Sequence, residues 1–127
     1  MISKKCYCGA SKAFKECCEI YINGIQKAPT AEALMRSRYA AYATHNADYL
    51  VATTHILQRK HHSKKDILDW ATANQWLRLE ILKTTENTVE FKAYYLNSEQ
   101  QQSYIHHEKS TFIFENESWF YVDGTFH

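Results

Sequence analysis

Apolar and polar residues change their period once along this chain. In AEALMRSRYAAYATH, Leu34, Met35, Tyr39 and Tyr42 recur at three-to-four spacing, which predicts a helix with Thr30 as its N-cap. A short helix is expected through Asp48, Tyr49 and Leu50. SKKDILDWATANQ predicts a third, capped by Ser63, with Ile67, Trp70 and Ala71 on one side. From Trp76 onward the period is two. WLRLEILK alternates Leu77, Leu79 and Ile81 against Arg78 and Glu80, and TVEFKAYYL alternates Val89, Phe91, Ala93 and Tyr95 against Glu90, Lys92 and Tyr94. SYIHHEKSTFIF and SWFYVDG predict two more strands, joined at Glu115-Asn116-Glu117. Helices first and an antiparallel meander after them mean an α+β fold. Helices at one end of a long curved sheet form a cone with a cavity between the two layers.

Before the first helix the chain has a different character. Asn23-Gly24 and the lone Pro29 punctuate a junction, so residues 1–24 read as a small module and 25–127 as the main domain. A chain of 127 residues supports one ordinary core plus a short appendage. At 45% apolar, 23% charged and net charge +1, nothing suggests disorder. The balance also lacks the broad basic field that non-specific phosphate binding uses. That argues against nucleic acid, with a local patch of Lys4, Lys5, Lys12 and Lys15 the one candidate contact. MISKK has no apolar run behind it, and no stretch approaches the ~18 consecutive apolar residues of a membrane span. A cytoplasmic location, where thiols stay reduced, is expected.

The module holds every cysteine of the chain, in CYCGASKAFKECC. Disulfides suit neither a reducing compartment nor the adjacent pair Cys17-Cys18. A dithiol redox site expects C-x-x-C, whereas the pairs here are C-x-C and C-C. Cys6, Cys8, Cys17 and Cys18 together can make the closed four-sulfur shell that structural zinc prefers. One structural Zn2+ is therefore the expected cofactor, with incidental or reactive thiols as the alternative. Gly9 can turn the backbone around the ion with a positive φ. The four lysines would offset the net charge of about minus two on one zinc with four thiolates. A closed shell leaves no position for water or substrate, so metal loss is expected to unfold residues 1–21 and spare the rest.

CYCGASKAFKECC resembles the SEC-C motif, a zinc-binding module also found at the C-terminus of the translocase ATPase SecA. The four cysteines, Lys12, Phe14 and Lys15 fall on matching positions, while Tyr7, Ala10 and Ser11 replace the usual proline and Ser-Gly. In SecA the module recruits a chaperone, which implies another protein as partner here by analogy. LMRSRYAAY, DYLVATTH, the W-x-L-x-I strand, HHEKSTF and the terminal WFYVDG extend the likeness over nearly the whole chain. They resemble the YchJ-like family, which pairs a SEC-C module with a nuclear-transport-factor-2-like (cystatin-like) domain. Ile56 departs from that pattern, where proline commonly follows T-x-H. The resemblance implies the cone but no activity.

Alternation on the third strand groups His106, Glu108, Ser110, Phe112 and Phe114 on one face and His107, Lys109, Thr111 and Ile113 on the other. With the phenylalanines facing the helices, Glu108 enters the cavity. Arg36 and Arg38 stand about 200° apart on their helix, so one can hold Glu108 or Asp123 in an ion pair while the other stays in water. The alternative is an enzyme in which Glu108 or Asp123 acts as general acid or base in an isomerase- or dehydratase-like reaction, with Arg38 or a tyrosine as anion partner. His106 and His107 cannot share one metal ion from a regular strand, and His61-His62 read as a solvated basic loop. Tyr39, Tyr42, Trp70, Trp76, Trp119 and Tyr121 read as core. Both faces of the last strand are apolar, which makes the outer sheet face a candidate homodimer surface. The leading expectation is a zinc-containing protein, leaning non-enzymatic, that contacts another protein or a small cavity ligand.

Overall fold

Thr30 acts on the helix it precedes: its Oγ1 accepts from the Ala33 N–H at 3.0 Å, satisfying one of the donors that a helix start leaves open. Ser63 does the same for Asp66 at 3.1 Å. The structure, a computed structural model, describes residues 5–126, so Lys4 lies outside the described residues. A 3-10 turn (Phe14–Glu16) and a one-turn helix α1 (Glu19–Ile22) lead to α2 (Ala31–Ala43), α3 (Ala47–Ala52), a 3-10 stretch (Ile56–His61) and α4 (Lys64–Ala73). The strands follow as β1 (Asn74–Thr84), β2 (Thr88–Asn97), β3 (Gln102–Glu115) and β4 (Ser118–Phe126). They form one antiparallel sheet in the order β1-β2-β3-β4, the meander that the period of two predicts. Asn116 and Glu117 both take positive φ at the β3–β4 turn, the geometry that matches a tight hairpin to strand twist.

Three irregularities curve the sheet and decide which side chains face inward. The β1–β2 register shifts between Trp76 and Arg78 and again between Ile81 and Lys83. Each shift leaves one extra residue on β1, which bends the strand. Leu77 and Leu82 are those residues, 50% and 42% exposed, whereas Leu79 is buried. Strict alternation had grouped Leu77 with Leu79 and Ile81; the first bulge turns Leu77 outward instead. The third shift lies between Thr111 and Phe112, which pair with Asp123 and Tyr121, leaving Val122 as the extra residue. The outer edge of β4 is partly covered, since Tyr121 N–H donates to Thr53 O at 2.7 Å and His55 N–H donates to Tyr121 O at 2.8 Å.

The main core lies between α2 and the concave face of the sheet. It contains Leu34, Met35, Tyr39, Val89, Phe91 and Phe112, and it continues without a break into Cys6, Cys8 and Cys18. The cysteine-bearing segment is therefore part of the core and not an appendage resting on it. A smaller cluster of Ala41, Ala47, Leu50 and Ile67 joins α2, α3 and α4. Among the described residues no helix is long and apolar enough to cross a membrane.

Candidate metal centre and cavity

The first two cysteines sit on a loop closed by a bridge between Lys5 and Ala13 and by the Cys6 N–H donating to Lys12 O at 2.8 Å. Gly9 turns the loop with φ +92°, a conformation that costs glycine little. Cys17 follows the 3-10 turn, and Cys18 opens α1. The four Sγ atoms lie within 4.8 Å of one another, with Cys8 and Cys17 3.8 Å apart. A tetrahedral shell with metal–sulfur bonds of ~2.3 Å has sulfur–sulfur edges of about 3.8 Å. The donor set thus fits one four-coordinate thiophilic ion, and its four ligands complete that shell.

The protonation of the cluster points the same way. Hydrogen bonds from the Cys18 and Cys6 thiols pull Cys8 down to about 2, with the Ala10 N–H also donating to it. Burial, and then the charge on Cys8, push Cys17 up to about 12. Cys18 is pushed up by its thiol bonds to Cys6 and Cys8 and by burial. These opposed shifts show how closely the thiols interact. A divalent ion would let all four act as thiolates.

Arg36 fastens this loop to the main domain. Its Nη1 donates to the carbonyl of Cys8 at 2.8 Å, and its Nε pairs with Glu32 at 2.9 Å. Arg36 was expected to stay in water if Arg38 turned inward; it faces the cysteine loop instead. A Cβ on Gly9 would lie 3.7 Å from Leu79 O, so the loop also runs close under β1. Lys5, Lys12 and Lys15 are exposed.

The second site is a cavity of about 230 Å³ between α2, α4 and the concave sheet, whose walls include Arg38, Tyr39, Tyr42, Trp76, His106 and Glu108. Glu108 is buried and receives three donors. His106 Nε2 lies 2.7 Å from Oε1, while Ser110 Oγ and Tyr121 Oη reach Oε2 at 2.5 Å and 3.0 Å. Burial alone would raise its pKa, but these hydrogen bonds outweigh burial and hold the carboxyl below the usual range. Gly124 makes room for it, because a Cβ there would stand 2.0 Å from Glu108 Oε2.

Two cavity expectations are corrected. Asp123 is exposed and does not line the cavity, because the bulge at Val122 puts Tyr121 and Gly124 inside and turns Asp123 out. The partner of Glu108 is His106, through a hydrogen bond, and not Arg38. Arg38 is buried and donates through Nη1 to Leu50 O at 2.9 Å, Thr53 Oγ1 at 2.7 Å and Thr54 Oγ1 at 3.3 Å. Its guanidinium carbon stands 4.7 Å from the Tyr121 ring centroid. His106 and His107 point to opposite faces, and His107 Nε2 meets Glu90 at 2.8 Å on the outer side. His61 is exposed, but His62 turns back against Tyr121, ring centroids 6.1 Å apart, and joins the cavity wall. The sequence offered no signal for His62. The spacing of His106, Glu108 and Ser110 at every second residue of one strand did announce their shared face.

A model of the YchJ middle domain, described as NTF2-like, matches residues 30–124. A UPF0225 protein of Photorhabdus laumondii is 38% identical over 129 residues, covering 97% of this chain and 81% of that protein. One from Geobacter sulfurreducens is 40% identical over 126 residues, covering 94% and 77%. The solution structure of a SEC-C motif containing protein from Rhodopseudomonas palustris superposes with a TM-score of 0.87 at 32% identity, covering 96% of this chain and 98% of that one.

Proposed function

Because this chain belongs to the YchJ-like family of UPF0225 proteins, we propose that it is a zinc-stabilised cytoplasmic protein whose conical cavity binds a small molecule without transforming it. The ion is Zn2+, held by Cys6, Cys8, Cys17 and Cys18. Four thiolates in a closed shell are the donor set that structural zinc favours, and its role is to fasten the loop under β1. The observation that carries the non-catalytic reading is the state of Glu108. A general acid or base at neutral pH needs a pKa moved toward 7, and this carboxylate is saturated by three donors and moved the other way. It acts as an anchor that fixes the cavity wall.

The exposed side of the cysteine loop, with Lys12 and Lys15, is the surface a protein partner would use. A second reading keeps one observation in its favour. His106, at 2.7 Å from Glu108, is an imidazole oriented by a carboxylate at the cavity wall, and it, not Glu108, would move a proton in an enzyme of this fold.

The experiment is a thermal-shift and tryptophan-fluorescence screen of one-ring compounds against the zinc-loaded chain, using the cavity residues Trp70 and Trp76 as reporters. Saturable stabilisation, lost in Ala93→Phe, which fills the cavity, supports the reading. A panel in which no compound stabilises the protein would contradict it, and turnover that disappears in His106→Gln would favour the enzyme.

A further inference from the structure

We infer that the cavity recognises a small aromatic monocarboxylate, with the carboxylate held by Arg38 and the hydroxyl of Tyr42; this rests on the binding reading above. Arg38 is 7% exposed, and among the described residues no carboxylate forms an ion pair with it. A buried cation that no carboxylate contacts directly is costly. Its hydrogen bonds all run through Nη1, toward the C-terminal end of α3 and the threonines that follow. Nε and Nη2 have no acceptor among the described residues. Among the described residues no buried polar side-chain atom lacks a partner, so these two nitrogens remain accessible, and the residue lines the cavity.

The same reasoning applies to two tyrosines. Tyr39 and Tyr42 line the cavity, and neither hydroxyl has a protein partner among the described residues, yet neither is sealed off. Burial pushes Tyr39 up to about 12. Tyr42 is likewise raised by burial, and it feels the charges of both Arg38 and Glu108. Both are therefore neutral donors at physiological pH, and of the two it is Tyr42 that feels the Arg38 guanidinium.

The other polar groups are committed or uncharged. Glu108 is occupied by His106, Ser110 and Tyr121. Burial, then the neighbouring charges of Arg38 and His61, hold His62 below its usual value, so it adds no second cation at neutral pH. The guanidinium nitrogens that meet no protein acceptor are planar donors, and planar donors match a carboxylate. The rest of the wall is rings, among them Trp70, Trp76 and Phe91. A cavity of about 150 Å³ holds benzene. The 230 Å³ found here has room for one ring with a carboxylate and a short link.

Isothermal titration of the full zinc-loaded chain with phenylacetate, benzyl alcohol and acetate tests this. Phenylacetate should bind at least about tenfold more tightly than benzyl alcohol, the worth of a charge-assisted hydrogen bond, and acetate should bind too weakly to measure. Tyr42→Phe, which keeps the ring and is not expected to impair folding as loss of Arg38 could, should weaken phenylacetate severalfold and leave benzyl alcohol unchanged. Glu108→Gln, which removes the nearest negative charge, should tighten phenylacetate. Equal binding of phenylacetate and benzyl alcohol, or an unaltered Tyr42→Phe, would overturn the carboxylate assignment while leaving the binding reading intact. Absence of binding by both aromatic probes would overturn both.

Discussion

The Nη1 of Arg36 donates to the carbonyl of Cys8 at 2.8 Å, so a residue on the second turn of α2 holds the backbone of the cysteine loop that lies 28 positions earlier in the chain. Removing this charged donor should cost about 2 kcal/mol of stability. Arg36→Met should also release zinc faster to a competing chelator, because the loop loses its tether to α2. Stopped-flow transfer to a chromogenic chelator measures this, and an unchanged rate would mean that the tether does not restrain the loop.

Chelation should destabilise the whole domain. Cys6, Cys8 and Cys18 share one core with Leu34, Val89, Phe91 and Phe112, and an apolar core with one wall loosened loses packing throughout. Calorimetry of the zinc-free chain should give a single, broader transition at lower temperature. Hydrogen exchange should accelerate in β2 as well as in the cysteine loop. A zinc-free chain that keeps the original transition and exchanges faster only in the loop would show the separable module that the sequence suggests.

How much of this could be read from residues alone varies with the kind of feature. Thr30 and Ser63 announced their helices because capping is local chemistry, and the period of two announced the meander. Cys6, Cys8, Cys17 and Cys18 could be grouped as one donor set because thirteen consecutive positions contain them all. The faces of β1 and β4 were misread for a shared reason: a bulge inserts one residue, and every side chain beyond it changes side. Asp123 left the cavity in that way. The partners of Arg36 and Arg38 depend on how the cysteine loop and α3 pack against α2, which no spacing within one helix encodes.

Gly124→Ala should destabilise the fold by about 2 kcal/mol, the cost of overpacking a filled site. The new methyl would meet Glu108, whose carboxylate cannot swing aside without losing His106, Ser110 and Tyr121. The double variant Glu108→Ser, Gly124→Ala should therefore lose less stability than the two single losses added together. Urea denaturation of the four proteins closes the cycle, and strict additivity would mean that the two positions do not compete for space.

The acid limb of stability should carry the mark of Glu108. Its folded pKa lies below the unfolded value. Its contribution is therefore complete above the unfolded value of ~4.3 and is lost as pH falls through the lower folded value. Wild type should exceed Glu108→Gln in stability most clearly near neutrality, and the gap should narrow below about pH 4. Urea midpoints from about pH 7 to about pH 3 test this. A gap that stays constant over that range would mean that Glu108 does not titrate with the fold.

The central claim is that four cysteines hold one structural zinc on which the rest of the fold depends. Native mass spectrometry of the protein expressed without added metal, beside the quadruple Cys6, Cys8, Cys17 and Cys18 to serine variant, tests it most directly. One zinc per wild-type chain, absent from a variant whose charge-state distribution broadens toward unfolded species, is the predicted result. A compactly folded wild type with no metal and four free thiols would contradict it.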